Sequence, residues 1–399
     1  MKSNKTQKKM AIALAYLIHF PAIVYAVTNL VAAWRIPIIS SLASPLLYTS
    51  FYVMVATALV YALQRMSFGR FSVLVLVVFA FLIASVSDQG NSRYMWTRFG
   101  DLLYNPAYTF WLFSFSAFLM SDHVQDMELL SEIMEKFSYA AIFLAALQYF
   151  VALRHQAVPQ YMTFSYNILF SVAYLLVLYI NQAGRMRLIA GLLGGVLIFF
   201  AGCRGALIGL IVSVVLALMF GSSRMSARRA GFTAAIAILG VVILMFGQEI
   251  ASGLVTLLDR LNIESRTVEK IVSESFLDDS GRSGLIEKCL EDLNAFGWGL
   301  YGDRARLGGS YPHNIAIEIL VDFGLFFGPS LLAVLLVVIV GGFRNAQGHR
   351  KAMICALIST GAIKLLFTGS FLNREPSFYL LIGLCLDSLR AKREAVGRM

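Results

Sequence analysis

Long apolar runs separated by short polar segments dominate the chain. We place twelve of them, at residues 10–34, 45–64, 71–87, 103–121, 135–154, 164–181, 186–202, 205–220, 231–247, 325–343, 352–371 and 376–390. Runs of about 17 to 25 apolar residues have the length at which a helix crosses the hydrocarbon core of a bilayer. The pattern therefore predicts an all-α, polytopic integral membrane protein with about 12 transmembrane helices. The acidic connection from Asp122 to Glu135 is a candidate amphipathic surface helix.

One polar interruption, residues 248–312, is much longer than the others. Apolar positions at helical spacing predict a helix from Ile250 to about Val272 that lies on the membrane. A turn at residues 278–281 and a second helix from Arg282 to about Leu293 follow. The glycines after it either allow close approach of a substrate or permit tight turns. The chain thus divides into helices 1–9 at residues 1–247, a helical loop at 248–312, and helices 10–12 with a tail at 313–399.

Composition leads to the same class of protein. The 399 residues are 58% hydrophobic and 14% charged, with a mean hydropathy of +0.73, which is too apolar for a water-soluble globule. The formal net charge is +10. Its basic residues are scattered at helix ends and form no stripe that alternates with aromatic residues, so we expect contact with anionic lipid and no nucleic-acid partner.

The distribution of Lys and Arg predicts the orientation. With the N-terminus inside, 19 of the 33 basic residues fall on the cytoplasmic side and 6 in the short outer loops. Short cytoplasmic loops accumulate positive charge. We therefore place both termini in the cytoplasm and the long loop outside, which in a bacterial inner membrane is the periplasmic side.

Ionisable residues within the predicted spans are few, chiefly Lys364. Either Lys364 is a functional charge or its long side chain reaches the interface from a helix end. Proton-driven carriers usually contain a relay of buried acids or histidines, and many transporters contain related halves. Neither pattern is present, which argues against transport.

Three helices that begin on the predicted outer side carry a basic or imidazole side chain at that end, namely Arg204, His313 and Arg374. Unpaired backbone N–H groups and the helix dipole favour anions there. Guanidinium groups bind phosphate oxygens through two parallel hydrogen bonds. The pattern is therefore typical of a pyrophosphate site, although such arginines also occur at the headgroup level without a ligand.

His313 follows Pro312, with Ser310 as the candidate N-cap of the tenth helix. The helix terminus and nearby arginines disfavour the imidazolium, so we expect a neutral imidazole that can accept a proton as a general base. Asn314, Glu318 and Asp322 recur at i, i+4 and i+8 and form one polar stripe that should face away from lipid. A structural role is the alternative for a single histidine.

Acidic residues give no metal site in the sequence. Asp278 and Asp279 are adjacent in a polar turn without further spaced ligands, whereas hard cations take several oxygen ligands. We expect neither a metal nor a cofactor. The outer aromatic residues, including Tyr311, could stack on sugars, but Trp and Tyr also collect at membrane interfaces.

Several motifs together resemble the superfamily of O-antigen polymerases and O-antigen ligases, which are integral-membrane glycosyltransferases. The matching segments are Gly202-Cys203-Arg204-Gly205-Ala206, Ser280-Gly281-Arg282-Ser283, Gly297 to Gly302, and Tyr311-Pro312-His313-Asn314 followed by Glu318 and Gly324. Their order and spacing fit over roughly residues 190 to 370. The first half of the chain is similar only in its number of helices.

The resemblance implies a GT-C-like fold and a reaction in which a sugar hydroxyl attacks the anomeric carbon of a polyprenyl-pyrophosphate-linked glycan without a metal. It implies that His313 activates or places the hydroxyl and that Arg204 and Arg282 stabilise the departing pyrophosphate. Five residues are expected in substrate binding in addition to Asn314: Glu318, Arg304, Arg306, Arg374 and Tyr311.

The nature of the acceptor separates the family members. A polymerase of O-antigen, capsule or exopolysaccharide extends a second lipid-linked glycan, whereas a ligase transfers the glycan to the lipid A core. We favour the polymerase, with the ligase as the first alternative and a polysaccharide flippase as the second. The expected partners are the lipid-linked glycan as donor and acceptor, membrane lipid and a candidate chain-length regulator protein.

Overall fold

A computed structural model describes residues 2–33, 37–64, 66–87, 89–96, 105–154, 160–220, 282–291 and 293–396, with four isolated positions at 230, 231, 234 and 253. Most residues in these ranges are helical, and none of them forms a strand. Most of the predicted ninth span and of the predicted surface helix at 250–272, and the predicted turn at 278–281, lie outside the described residues.

The helices of the first half are α1 (Lys2–Ala33), α2 (Pro37–Gln64), α3 (Phe68–Ser87), α4 (Gln89–Trp96), α5 (Pro106–Thr109), α6 (Ser116–Ser121), α7 (Met127–Arg154), α8 (Tyr161–Gln182), α9 (Arg185–Ala201) and α10 (Arg204–Phe220). Those of the second half are α11 (Ser283–Glu291), α12 (Gly302–Arg306), α13 (Ile315–Asn345), α14 (Gly348–Leu357), α15 (Lys364–Phe367) and α16 (Pro376–Val396). One π-helical segment, Phe110–Phe115, joins α5 to α6, and another, Ile358–Ile363, joins α14 to α15.

Six of these helices, α1, α2, α3, α7, α8 and α13, are long and apolar enough to cross a membrane, and α10 is a shorter apolar helix. The predicted apolar runs in the described ranges are largely helical, but the eleventh was placed too long, because its last residues, 368–371, lie in a loop after α15. The protein is therefore a helical membrane protein, as predicted. The count of twelve spans and the GT-C-like arrangement stay predictions.

The core forms around α1 and α8. Helix α1 packs against α2, α7 and α8, while α8 also contacts α9, α10 and α14. Gly194 of α9 lies against Val172 of α8 so closely that a Cβ on the glycine would be 2.3 Å from the valine side chain. Small residues let membrane helices approach in this way, which adds van der Waals contact where lipid supplies no hydrophobic driving force.

The connection from Asp122 to Glu135 is not a separate surface helix, and that prediction is wrong. Only residues 122–126 are non-helical, and α7 begins at Met127. Glu128 and Glu132 are exposed, but Glu135 lies against α9, where it accepts bonds of 2.7 and 2.9 Å from Arg187. The buried opposite face of the helix continues directly into the span, so the acidic turn is the polar end of a membrane helix.

Helix α13 is broken at Gly324, which has φ 71° and ψ 178°. The glycine-rich segment before α12 runs beside the break. Trp298 N donates to Val321 O at 2.8 Å, and Gly299 N donates to Asp322 O at 3.0 Å. Two further bonds run the other way, from Leu325 N and Phe326 N to the carbonyls of residues 294 and 295. Backbone groups freed in a membrane helix are costly unless they are paired again within the protein, and this segment pairs them.

Gly297 allows this contact, because a Cβ there would be 2.4 Å from both Asp322 O and Gly324 N, and its φ is +79°. We predict that Gly297→Ala destabilises the protein by roughly 2 to 4 kcal/mol, from the unfavourable backbone conformation and the overlap. Gly284→Ala in helix α11 is the control, because no atom of the described residues lies within 4 Å of the point that its Cβ would occupy. The thermal unfolding midpoint in one detergent measures both, and equal midpoints would contradict the close contact.

Candidate functional site

Four parts of the chain meet beside the start of α13: Arg282 with α11, the segment 293–314 with α12, α13 itself, and the loop 368–375 between α15 and α16. Side chains fix the loop. Tyr301 Oη donates to Leu372 O at 3.0 Å, and Tyr379 Oη donates to Phe371 O at 2.9 Å. Ser114 donates to the carbonyl of Asn373 and accepts from the N–H of Glu375. These hydrogen bonds hold the loop in place beside the start of α13.

The starts and ends of the last four helices, α13 to α16, place this site on one side of the protein. Short connections join α13 to α14 and α15 to α16, so the start of α13, the end of α15 and the start of α16 share a side. The opposite side carries the basic ends of the same helices, including Arg344, Lys351 and Arg393. The site thus lies opposite the side that the charge distribution assigns to the cytoplasm.

Asn314 is the N-cap of α13. With φ −144°, it accepts bonds from Ala316 N at 2.9 Å and Ile317 N at 3.3 Å, and its Nδ2 donates to Leu366 O at 3.2 Å. The prediction that Ser310 caps this helix is therefore wrong, since Ser310 is exposed and precedes the helix by five residues. The amide of Asn314 anchors α13 to α15, so the geometry gives it a structural task at the position where substrate binding was predicted.

His313 adopts a left-handed backbone conformation with φ 56°. Its ring centroid lies 4.1 Å from that of Tyr311, and its Nδ1 is buried without a hydrogen-bond partner in the described part of the chain. Burial, followed by the positive charges of Arg282 and Arg304, lowers the pKa of His313 below its usual 6.5. The imidazole is therefore neutral near pH 7, as predicted, and it retains a nitrogen able to accept a proton.

Tyr311 covers one side of this imidazole. Burial, followed by the negative charge of Glu375, raises the pKa of Tyr311 to about 12. Its hydroxyl therefore stays protonated and available as a donor at neutral pH. The ring also stacks over the guanidinium of Arg304, with 5.3 Å between Arg304 Cζ and the ring centroid.

Arg282 is the basic residue whose charge most affects His313. It donates to the carbonyl of Phe367 at the end of α15. It also acts on Cys203, because burial raises the pKa of the Cys203 thiol and the charge of Arg282 opposes that rise. The charge of Arg282 thus acts both on His313 and on Cys203 at the start of α10, where Arg204 follows Cys203.

The start of α10 contacts α8 through Tyr166. A Cβ on Gly205 would be 2.0 Å from Tyr166 Oη, so a larger residue beside Arg204 would require Tyr166 to move. Arg204 is half-buried. The start of α10, Arg282 and His313 are far apart along the chain, and the structure brings them into one region.

Arg304 is buried among acidic residues. Its Nη1 bonds to Asp303 Oδ1 at 2.8 Å, both Nη atoms lie 3.3 Å from Glu318 Oε1, and Nη2 donates to Ser370 Oγ. Burial opposes its charge, but the carboxylates of Asp303 and Glu318 outweigh it and raise the pKa of Arg304. With its donors directed at protein groups, Arg304 holds the site together, and the geometry gives no sign of the predicted substrate contact.

Glu318 and Asp322 are buried, as the polar stripe along α13 predicted. Oxygens of Asp303, Glu318 and Asp322 lie within 4.8 Å of one another and are the group, within the described ranges, that could hold a metal. Both carboxylate oxygens of Asp322 and Asp303 Oδ2 are buried without a partner in that part of the chain. Burial also raises the pKa of Asp303. A shared proton or a cation would each relieve this concentration of charge, while the expectation of no metal stays a prediction.

Lys364 forms an ion pair with Glu375, in which Nζ lies 2.8 Å from each carboxylate oxygen. This pair gives the charge of Lys364 a partner within the protein. Arg374, the neighbour of Glu375, lies over the ring of Phe113 at 4.8 Å. Arg306, by contrast, is exposed and stacks on Trp298 at 4.2 Å, outside the contacts described around His313.

Sequence reasoning missed four members of this region, Tyr166, Asp303, Ser370 and Glu375 as the partner of Lys364. Asp303 precedes an arginine in a polar segment and therefore carries no distinctive spacing. Tyr166 and Ser370 stand inside predicted apolar runs, at residues 164–181 and 352–371, where nothing in their spacing distinguishes them.

Comparison with known proteins supplies no family for this chain. No protein-family model matches the sequence, and searches of curated proteins and of solved structures give no match either. The functional argument therefore depends on the residues and on the geometry described above.

Replacement of Arg304 tests the buried network directly. We predict that Arg304→Met costs roughly 3 to 5 kcal/mol of stability, because it leaves Asp303 and Glu318 buried without their cation. Arg306→Met is the matched control, since this exposed side chain stacks on one ring and should contribute about 1 kcal/mol at most. Thermal midpoints in the same detergent compare the two, and a larger loss for Arg306→Met would contradict the network.

Proposed function

We propose that the protein is a metal-independent membrane glycosyltransferase that polymerises polyprenyl-pyrophosphate-linked oligosaccharide repeats at the outer face of a bacterial inner membrane. The observation that carries the proposal is the neutral imidazole of His313, with a buried and unpartnered Nδ1 among the described residues, beside Arg282. The proposal includes the GT-C-like arrangement of about twelve spans and the cytoplasmic termini.

In the proposed reaction the hydroxyl oxygen of an acceptor sugar attacks the anomeric carbon of the donor. A carbon–oxygen bond forms to the acceptor as the bond to the pyrophosphate oxygen breaks. The hydroxyl proton passes to the unpartnered nitrogen of His313 and then to water. The lowered pKa of His313 suits this role, because the neutral imidazole, which is the base form, is already populated at neutral pH.

Arg282 and Arg204 have the complementary task. Negative charge develops on the leaving pyrophosphate as the bond breaks, and a guanidinium stabilises it more in the transition state than in the ground state. Loss of one preorganised donor of this kind costs about 3 kcal/mol of barrier, or two orders of magnitude in rate. Arg304 does not share the task, because Asp303, Glu318 and Ser370 occupy its donors.

Replacement of His313 tests the proposal. We use His313→Asn, because asparagine tolerates the left-handed backbone conformation at this position better than alanine does. In a null strain complemented with this variant at normal abundance, we predict that the surface-glycan ladder collapses to core carrying a single repeat. His349→Asn is the matched control and should keep the full ladder, since His349 lies at the start of α14 on the opposite side.

Other outcomes distinguish the alternatives. If the null strain loses every repeat from the core while lipid-linked polymer persists, the protein is a ligase. If repeat units accumulate on the cytoplasmic leaflet, it is a flippase. A full ladder in His313→Asn would contradict the role given to the imidazole.

A further inference from the structure

A cavity of about 510 Å³ lies beside the Lys364–Glu375 ion pair. It is bounded by α1, α2, α8, the π-helical segment before α15, and the first residues of α16. Its volume is within the range of pockets that enclose small organic ligands. None of the groups to which we assign proton transfer or stabilisation of the leaving group lines it, whereas Arg374, which the sequence placed among the substrate-binding residues, does.

The walls of the cavity combine aromatic rings with hydroxyl and amide groups. Tyr25, Tyr48 and Tyr166 supply rings, and Thr163 and Asn167 supply polar groups from one face of α8. Asn167 Nδ2 donates to Pro21 O at 3.2 Å, which fixes the amide in the wall. Flat apolar faces together with hydrogen-bonding groups match the two kinds of surface that a sugar ring presents.

The charge of the lining argues against the pyrophosphate as the occupant. Lys364 and Glu375 are paired at 2.8 Å and neutralise one another. Arg374 then leaves a single positive charge among the lining residues. A pyrophosphate carries more negative charge than this lining can balance, whereas a neutral or singly acidic sugar does not.

Helix α15 connects the cavity to His313. Its first residue, Lys364, lines the cavity, while the carbonyls of Leu366 and Phe367 at its other end bind Asn314 and Arg282. Tyr166 makes a second connection, since it lines the cavity and its hydroxyl lies over Gly205 at the start of α10. A ligand in the cavity would therefore be held by the same short elements that position the proposed catalytic groups.

We propose that this cavity is a sugar subsite, which binds a neutral or singly acidic sugar residue of the lipid-linked repeat other than the one that reacts. The inference rests on the proposed function. It assigns Asn167, Arg374 and the ring of Tyr166 to substrate recognition. Occupation of the cavity should therefore affect substrate affinity more than the chemical step.

Thr163→Phe tests the subsite by filling the cavity with a larger side chain. Thr57→Phe is the matched control, because Thr57 is exposed on α2 and its hydroxyl bonds within its own helix, to Val53 O at 2.6 Å. The probe is the lipid-linked repeat extracted from a strain that lacks this protein. We predict at least a tenfold rise in KM for Thr163→Phe, a smaller change in kcat, and wild-type values for Thr57→Phe.

A second variant and a binding assay keep the test decisive. Asn167→Leu removes the amide with little change in volume and should also raise KM, which matters if Thr163→Phe folds poorly. Wild-type kinetics in both variants would overturn the subsite while the proposed function stands. If the wild-type protein makes no polymer, the proposed function fails. Equilibrium binding of the same probe then tests the subsite by itself. Loss of binding in Thr163→Phe supports the subsite, and unchanged binding overturns it.

Discussion

The buried contact of Glu318 with Arg304 and Ser370 is the interaction on which the rest of the site depends. It joins the first turn of α13, the short helix α12 and the loop 368–375, three segments that are distant in sequence. A buried ion pair is costly unless its remaining donors and acceptors are satisfied. Asp303 and the N–H of Phe371 supply those further bonds here. Because this network fixes the loop and α13 together, it also fixes where His313 and the Lys364–Glu375 pair lie.

The arginines of this region also differ in whether their side chains are already engaged by other protein groups. Arg304 is committed to carboxylates, and Arg306 stacks on Trp298 at an exposed position. Arg282 remains beside the imidazole, where burial and then its positive charge lower the pKa of His313. In the proposed reaction, arrangement more than residue type therefore determines which cation can meet the leaving group. The same reasoning leads us to propose a sugar for the cavity, whose lining residues carry a net single positive charge.

Much of the helical architecture could be predicted from the sequence, because apolar runs of membrane-spanning length leave few alternatives. The neutral state of His313 and the burial of Glu318 and Asp322 could also be predicted from the sequence, since both follow from helix geometry. The N-cap at Asn314 was not, because the left-handed turn at His313 shifts the start of the helix. Contacts of Ser370 and Tyr166 depend on segments far apart in sequence, and a single sequence does not encode such distances. The break at Gly324 was missed for the same reason, as its cause is the segment packed beside it.

In the proposed reaction, burial and neighbouring cations keep His313 neutral so that it can accept a proton. The most direct measurement is the release of polyprenyl pyrophosphate against pH by the purified protein in liposomes supplied with the lipid-linked repeat. Because the pKa of His313 is lowered, the base form is lost only as the pH falls below about 6.5. We predict that the rate is constant from neutral pH down to 6.5 and declines below it, and that His313→Asn releases no product above background. Release by His313→Asn at the wild-type rate would contradict the account.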